Sequence, residues 1–279
     1  MPVARPALPR SLALCADDYG MSPGVSAGII RLARAGRLSA VSCLTSVTHW
    51  GASASALLTL PGAVELGLHI NLTEGVPLSR PLAARWPRFP GLSMLIMRAH
   101  LGLLPVVELE AEIRTQWRAF RSATGYEPAY VDGHQHVHHL PGVRDLVLEL
   151  VGQMPGRIAV RNTAQVLGPG HGVKRWLIRH TGGRVLQREL QRRQIPHNPV
   201  LLGAYDFQDN DFRQRMRRWL VSLPAQGGLL FCHPAFARDG DPQVAFGAAR
   251  RRELHYLASD EFLLDLAQAN VVLGPVWRT

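Results

Sequence analysis

Lysine is nearly missing from this chain: Lys174 is the only one among 31 Lys and Arg residues. So lopsided a choice of arginine, beside many Ala and Gly, looks like codon bias. The formal net charge of +10 therefore does not by itself argue for a polyanionic partner. The basic residues do cluster, in Lys174 to Arg193 and in Arg213 to Arg218, and a solvated helix face accounts for both runs. Cysteine is scarce too. Cys15, Cys43 and Cys232 are odd in number and each sits inside an apolar, strand-like run, the setting of a small buried thiol. No disulfide framework and no CxxC zinc site is present. Long apolar runs are lacking: LSMLIMRAHLGLLPVV is interrupted by Arg98 and His100 and is too short to span a bilayer. Arg5 and Arg10 precede LALCA, but that run is too short for a signal peptide and leads straight to Asp17, so a cytoplasmic protein is expected. Internal repeats, low-complexity tracts and domain linkers are absent as well.

What is present is a globular composition, 47% hydrophobic and 19% charged, in 279 residues. That length suits one α/β barrel, so a single domain over 1–279 is expected. Strand-like runs alternate with helix-like ones, the pattern of a parallel sheet with crossover helices. SLALCADD, SAVSCLTS, VELGLHINLT, AYVDGHQH, RIAVRN, GGLLFCHPA and VVLGPV read as strands. Ser22 and Pro23 open a helix that runs to Gly36. An alanine-rich run before Pro61, VRDLVLELVGQM, DFRQRMRRWLVSL and SDEFLLDLAQAN also read as helices. In VELEAEIRTQWRAFRSATG, the apolar face is Leu109, Ile113, Trp117 and Phe120. Two insertions interrupt the alternation. One, irregular and rich in Pro, Gly and Arg, spans about Glu74 to Pro105 and suits a functional lid; the other, about Thr163 to Val200, holds the first basic cluster.

The chemistry gathers at strand ends. Asp17 and Asp18 stand where SLALCA stops, two adjacent like charges that need a cation, a proton or solvent to relieve them. Strand alternation points them to opposite sides, so they need different partners. On its own the pair reads as a turn acid and a helix cap. His69, His134, Arg161 and His233 also fall at or near the ends of expected strands, however, and in a parallel barrel those ends share one rim. One carboxylate and two neutral imidazoles make a catalytic ligand set for a divalent ion, with positions left open. The segment DGHQHVHHLPGV offers several imidazoles. Alternation places His134, His136 and His138 on one side and His139 on the other, whereas His134 and His138 also have the spacing of two ligands on one helical turn; Pro141 and Gly142 favour a loop. Asp132 is placed to accept a hydrogen bond from a ligating imidazole. Arg161 either orients Asp17, binds substrate or forms a structural ion pair.

Together ADDYG, GLHINLTEGVPL, DGHQHVHHLPGV, LLGAYDF and GLLFCHPAF resemble the YdjC-like carbohydrate deacetylases, which include chitin-oligosaccharide deacetylases and a branch associated with hopanoid biosynthesis. The resemblance runs in order from Leu14 to about Leu257. It implies a distorted (β/α) TIM-like barrel and metal-dependent hydrolysis of the acetamide of an N-acetylated amino sugar. It further implies Asp17 as general base, Asp18, His69 and His134 as ligands of one divalent metal ion, Zn or Mg, and His233 as general acid, an imidazolium that donates to the departing amine. Asp132, His136, His138 and Arg161 are left as substrate contacts or as supports of the ligands. Tyr19 stands where Phe is common and Gln135 interrupts a histidine run; neither is an expected ligand.

Two rivals remain. An Fe(II) oxygenase uses the same two-histidine, one-carboxylate set, but usually holds its first histidine and acid close together. A basic nucleic-acid-binding protein would leave the strand-end acids unexplained and lacks an aromatic-basic reading motif, so no nucleic acid is expected as partner. The insertions combine an apolar run, Leu92 to Val107, with Arg85, Arg88, Arg98, Lys174, Arg175, Arg179 and Arg184. Such faces suit a lipid-linked sugar at an anionic membrane, with peripheral membrane contact. The plainer view is that Leu95, Ile96, Leu101 and Leu104 pack the lid onto the barrel. A homodimer is compatible with the sequence, which specifies no oligomeric state.

Overall fold

The computed structural model describes residues 8–208, 210–237 and 245–277; Arg5 lies outside them. Its centre is one parallel sheet. The first strand, β1 (Arg10–Tyr19), is the longest and almost wholly buried. That is why SLALCA carries no polar alternation: a strand covered on both faces reads as a continuous apolar run. Around it stand β2 (Ala40–Cys43), β3 (Glu65–Ile70), β4 (Tyr130–Gly133), β5 (Ala159–Val160), β6 (Leu201–Leu202), β7 (Gly228–Cys232) and β8 (Val271–Leu273). The order is β5-β4-β3-β2-β1-β7-β6, with β8 pairing the start of β1. After β5 the chain crosses to the far edge: the amide of Val160 donates to the carbonyl of Pro196 and Val166 bridges Leu201. The segment after β5 thereby reaches β6, and the sheet curls into a distorted (β/α) barrel whose edge strands β5 and β6 do not pair directly.

Helices cover its outside. In α1 (Pro23–Arg34) the Ser22 hydroxyl accepts from the amide of Val25 and Pro23 takes the first turn. The α2 helix spans Trp50–Leu57. The expected apolar stripe of α5 (Val106–Thr124), Leu109, Ile113, Trp117 and Phe120, is buried, and Gly125 ends the helix at φ 84°. Burial of each such side chain contributes about 2 kcal/mol. Helix α5 also carries two buried polar groups that tie down the chain after β3. Gln116 exchanges hydrogen bonds with the backbone of Asn71 (2.7 and 3.0 Å), and Glu112 accepts from the amides of Leu78 (3.1 Å) and Ser79 (2.7 Å).

Both insertions are more regular than their composition suggests. The first contains α3 (Arg80–Arg85) and α4 (Leu92–His100), seated by buried Leu82, Trp86, Phe89 and Leu95. Its apolar run divides: Leu95 is buried and Ile96 and Leu104 pack against the core, as the plainer view expects, while Met94, Met97, Leu103 and, against that view, Leu101 face outward. After α6 (Val143–Gln153) and β5, the second insertion forms α7 (Gly172–Ile178), a single π turn and α8 (Arg184–Arg192). Glycine is required in that π turn, because a Cβ on Gly182 would collide with the carbonyl of His139. The chain closes through α9 (Phe212–Ser222), α10 (Gly247–Ala258) and α11 (Asp260–Gln268). Sequence patterning misses α10, whose arginine run disguises an apolar face. Among the described residues, no helix is long and apolar enough to cross a membrane.

Candidate active site

Asp17, Asp18, His69, His134, Arg161 and His233 all stand at the C-terminal ends of β1, β3, β4, β5 and β7. Above them lies a cavity of about 600 Å³. Strand alternation fails at the acid pair. The pairing of β1 with β2 shifts register between Ala16 and Tyr19, and Asp18 has φ 69°, so both carboxylates line the cavity instead of parting to opposite faces.

Asp18, His69 and His134 form a buried group whose candidate donor atoms lie within 4.8 Å of one another. His134 Nδ1 stands 2.9 Å from Asp18 Oδ1, and His69 Nε2 is 3.5 Å from the same oxygen. Behind His69, Nδ1 lies 2.6 Å from Asp132 Oδ1, which fixes the ring and turns Nε2 toward Asp18. Burial pulls both histidines toward the neutral form, but carboxylates win. Asp132 and Asp17 raise His69 to about 10, and Asp18 with Glu74 raises His134 to about 9. Burial would push Asp18 up, yet Arg250 and His134 hold it well below the usual carboxylate range. One buried carboxylate oxygen facing two imidazole nitrogens, one of them braced from behind, is a donor set that fits a borderline divalent ion.

A second group, Cys15, Asp17 and Asp132, has similar spacing, but a cation already sits in it. Arg161 donates to both oxygens of Asp17 (2.7 and 2.6 Å), lies 2.5 Å from Asp132 Oδ2 and reaches Cys15 Sγ at 3.1 Å. Ser42 donates to Asp132 Oδ2 at 2.7 Å, and Tyr130 closes the network from below. Arg161 and Asp132 are fully buried and do not line the cavity, so their geometry is that of supports and not of substrate contacts. Burial opposes the charge of Arg161, but Asp132 and Asp17 hold it well above its ordinary value. Burial likewise opposes ionisation of Asp132, and Arg161 and His69 overcome it.

The segment after β4 is neither strand nor α-turn. His134–His139 is a 3₁₀ turn in which Gln135 (φ 53°) and His136 (φ 63°) are left-handed, and this breaks the one-turn relation between His134 and His138. His138 points away from Asp18, and its Nε2–H donates to the Arg161 carbonyl at 2.9 Å. Burial lowers it to about 4. His139 is held by Thr163 and Thr181, both at 2.9 Å. His136 lines the cavity, its ring edge-on to Phe231 at 5.3 Å.

His233 also lines the cavity, and here the expected imidazolium meets an obstacle. Burial is the main cause that pushes His233 down to about 3, with Arg250 adding to it against the pull of Asp18. At neutral pH it rests as a neutral imidazole. Its backbone amide donates to Glu253 at 2.5 Å, and the other oxygen of Glu253 accepts from the Tyr205 hydroxyl.

Sequence reasoning missed Arg250, Glu253 and Glu74 as site residues. Arg250 Nη2 donates to Asp18 Oδ2 at 2.7 Å, and Glu74 Oε1 lies 3.1 Å from His134 Nε2. The first two sit in Arg-Arg-Arg-Glu, which looks like a solvated face; only burial separates them from their neighbours. The remaining walls are largely apolar: Leu92 and Ile96 from α4, Leu177 and Ile178 from α7, and Phe207 stacked on Phe246 at 4.6 Å. Lys174 reaches in over Phe207 at 5.3 Å.

Residues 11–268 match the family model described as YdjC-like protein. A chitooligosaccharide deacetylase of Enterobacter sp. (strain 638) is 30% identical over 277 residues, covering 95% of this chain and 97% of that one. A carbohydrate deacetylase of Danio rerio is 35% identical over 145 residues, 50% of this chain and 46% of the relative. Among solved structures, one from Enterococcus faecalis V583, named for cellobiose-phosphate cleavage, superposes with TM-score 0.75 at 19% identity over 96% of this chain and 98% of its own.

Proposed function

Since the chain belongs to the YdjC-like protein family, we propose that it is a metal-dependent carbohydrate N-deacetylase, hydrolysing the acetamide of an N-acetylated amino sugar to acetate and the free amine. The observation that carries this reading is the convergence of Asp18, His69 and His134 beside Asp17 and His233 in one cavity. The names of the relatives support the reaction class.

An acetamide is a poor electrophile with a poor leaving group, so water must lose a proton, the oxyanion must be stabilised and the nitrogen must gain a proton. Asp18, His69 and His134 would hold one divalent ion, Zn or Mg, which when bound supplies Lewis-acid polarisation and a more acidic water. Asp17 takes the proton of the attacking water, its carboxylate aimed by the two bonds from Arg161. Neutral His233 then serves as carrier, accepting that proton and delivering it to the departing nitrogen, so no imidazolium is needed at rest. Asp132 braces His69, His138 braces the backbone of Arg161, and His136 meets substrate from the cavity wall.

The finer reading concerns what the sugar is attached to. Apolar walls from both insertions, with outward-facing Met94, Met97, Leu101 and Trp176, suit lipid-linked N-acetylglucosamine handled by a cytoplasmic, membrane-peripheral enzyme; a free chitin oligosaccharide is the competitor. Acetate release from both substrates, with and without chelator, tests the whole reading. No release from either one sinks the deacetylase. Flotation with anionic liposomes, and sedimentation of the free protein, decide membrane contact and the homodimer. Absence of flotation with equal activity on free chitin oligosaccharides removes the lipid-linked substrate.

A further inference from the structure

Arg250 comes to the cavity from α10 and is 5% exposed. Two of its nitrogens are anchored: Nε donates to the Ala245 carbonyl at 3.1 Å and Nη2 to Asp18 Oδ2 at 2.7 Å. The third, Nη1, is buried and has no hydrogen-bond partner among the described residues. Burying a charged donor without an acceptor is costly. The residue lines the cavity together with Asp17, Asp18 and His233. A rigidly held cation with an unpartnered NH₂ group beside the reacting groups is the geometry of a preorganised donor to developing negative charge.

We propose that Arg250 is a catalytic residue: Nη1 donates to the acetamide oxygen as it becomes an oxyanion, while Nη2 keeps Asp18 in place. This rests on the deacetylase reading. Attack of water forms the new C–O bond and moves the carbonyl π pair onto oxygen, and Asp17 takes the proton of the water. Collapse returns that pair, breaks the C–N bond and releases the nitrogen as an amine with the proton passed on by His233. One water is consumed; the acid formed on collapse gives its remaining proton to the released amine, so acetate and an ammonium group are the products. The neutral acetamide lacks the charge that Nη1 meets, which appears on attack and remains on the acetate product, so the interaction acts on turnover more than on substrate affinity.

The test uses Arg250→Lys and Arg250→Gln, each assayed for metal content, for kcat and KM on di-N-acetylchitobiose and its N-trifluoroacetyl analogue, and for acetate binding by calorimetry. The expected result is turnover of the acetyl substrate reduced about 10²–10³-fold with KM little changed, metal retained in the Lys variant, and a much smaller loss on the trifluoroacetyl substrate, whose fluorines carry part of the oxyanion charge. Acetate should bind roughly tenfold more weakly to the variants, in metal-free as well as loaded protein, about the effect of one lost charged hydrogen bond. Equal losses on both substrates, or acetate affinity that does not change, would show that Arg250 acts only through Asp18. Acetate binding decides the inference even if no sugar is turned over, whereas a wild type inactive on every N-acetyl sugar overturns the deacetylase reading alone.

Discussion

Arg161 grips both oxygens of Asp17, at 2.7 and 2.6 Å, while reaching Asp132 at 2.5 Å. One guanidinium from the end of β5 thus binds carboxylates from β1 and β4. Asp132 in turn holds His69, so the proposed base and one proposed ligand share a single buried anchor. Their relative position is set by the barrel rim and not by a loop.

Removal of that anchor should be felt in stability first. Arg161→Met leaves Asp17 and Asp132 buried without their cation, and breaking a buried pair by deleting one partner costs about 3–5 kcal/mol. Urea denaturation measures it. A loss below about 1 kcal/mol would mean that water or another cation reaches the carboxylates.

Metal content separates the proposed ligands from the neighbouring histidines. Asp18→Ala, His69→Ala and His134→Ala should each purify with little metal and no activity, whereas His138→Ala should retain metal because its ring bonds the Arg161 carbonyl instead. Full occupancy in any of the first three removes that residue from the set. Loss of metal in the His138 variant would restore the one-turn pair.

Much of this was legible in the sequence, and the misses have physical causes. Parallel strands buried on both faces announce themselves as apolar runs, and their ends carry the rim residues, so Asp17, Asp18, His69, His134, Arg161 and His233 could be named from pattern alone. What pattern cannot show is a departure from ideal geometry. The shifted register and left-handed Asp18 put both acids on one face, and left-handed Gln135 and His136 separate His134 from His138. Arg250 and Glu253 were hidden because a charged run on a helix gives no sign of which member turns inward.

The proton steps predict a split between two variants. Asp17→Asn should keep its metal and lose turnover by at least about a hundredfold, the scale of a lost general base. His233→Ala should lose as much on a poor leaving group but recover in part when the amine leaves easily. Equal losses on good and poor leaving groups would assign His233 to substrate binding.

The last prediction concerns pH and Glu253, the buried carboxyl beneath the amide of His233. Burial raises it from its ordinary 4.5 to about 7, against the hydrogen bonds from Tyr205 and His233 that favour the charged form. The raised value means that the folded protein holds this proton more tightly than the unfolded chain. Below about pH 4.5 both states are protonated and the group makes no difference. Between about 4.5 and 7 the unfolded chain ionises first, so stability falls as pH rises, by about 3 kcal/mol in all at 1.36 kcal/mol per unit. Urea unfolding of wild type and Glu253→Gln at pH 5 and pH 8 isolates this term, because the shifted histidines are common to both proteins. The wild type should lose about 2.5 kcal/mol more than the variant between the two pH values, part of the effect being already present at pH 5. Parallel losses would place the ionised carboxylate at ease in its pocket, with Tyr205 and the His233 amide compensating its burial in full.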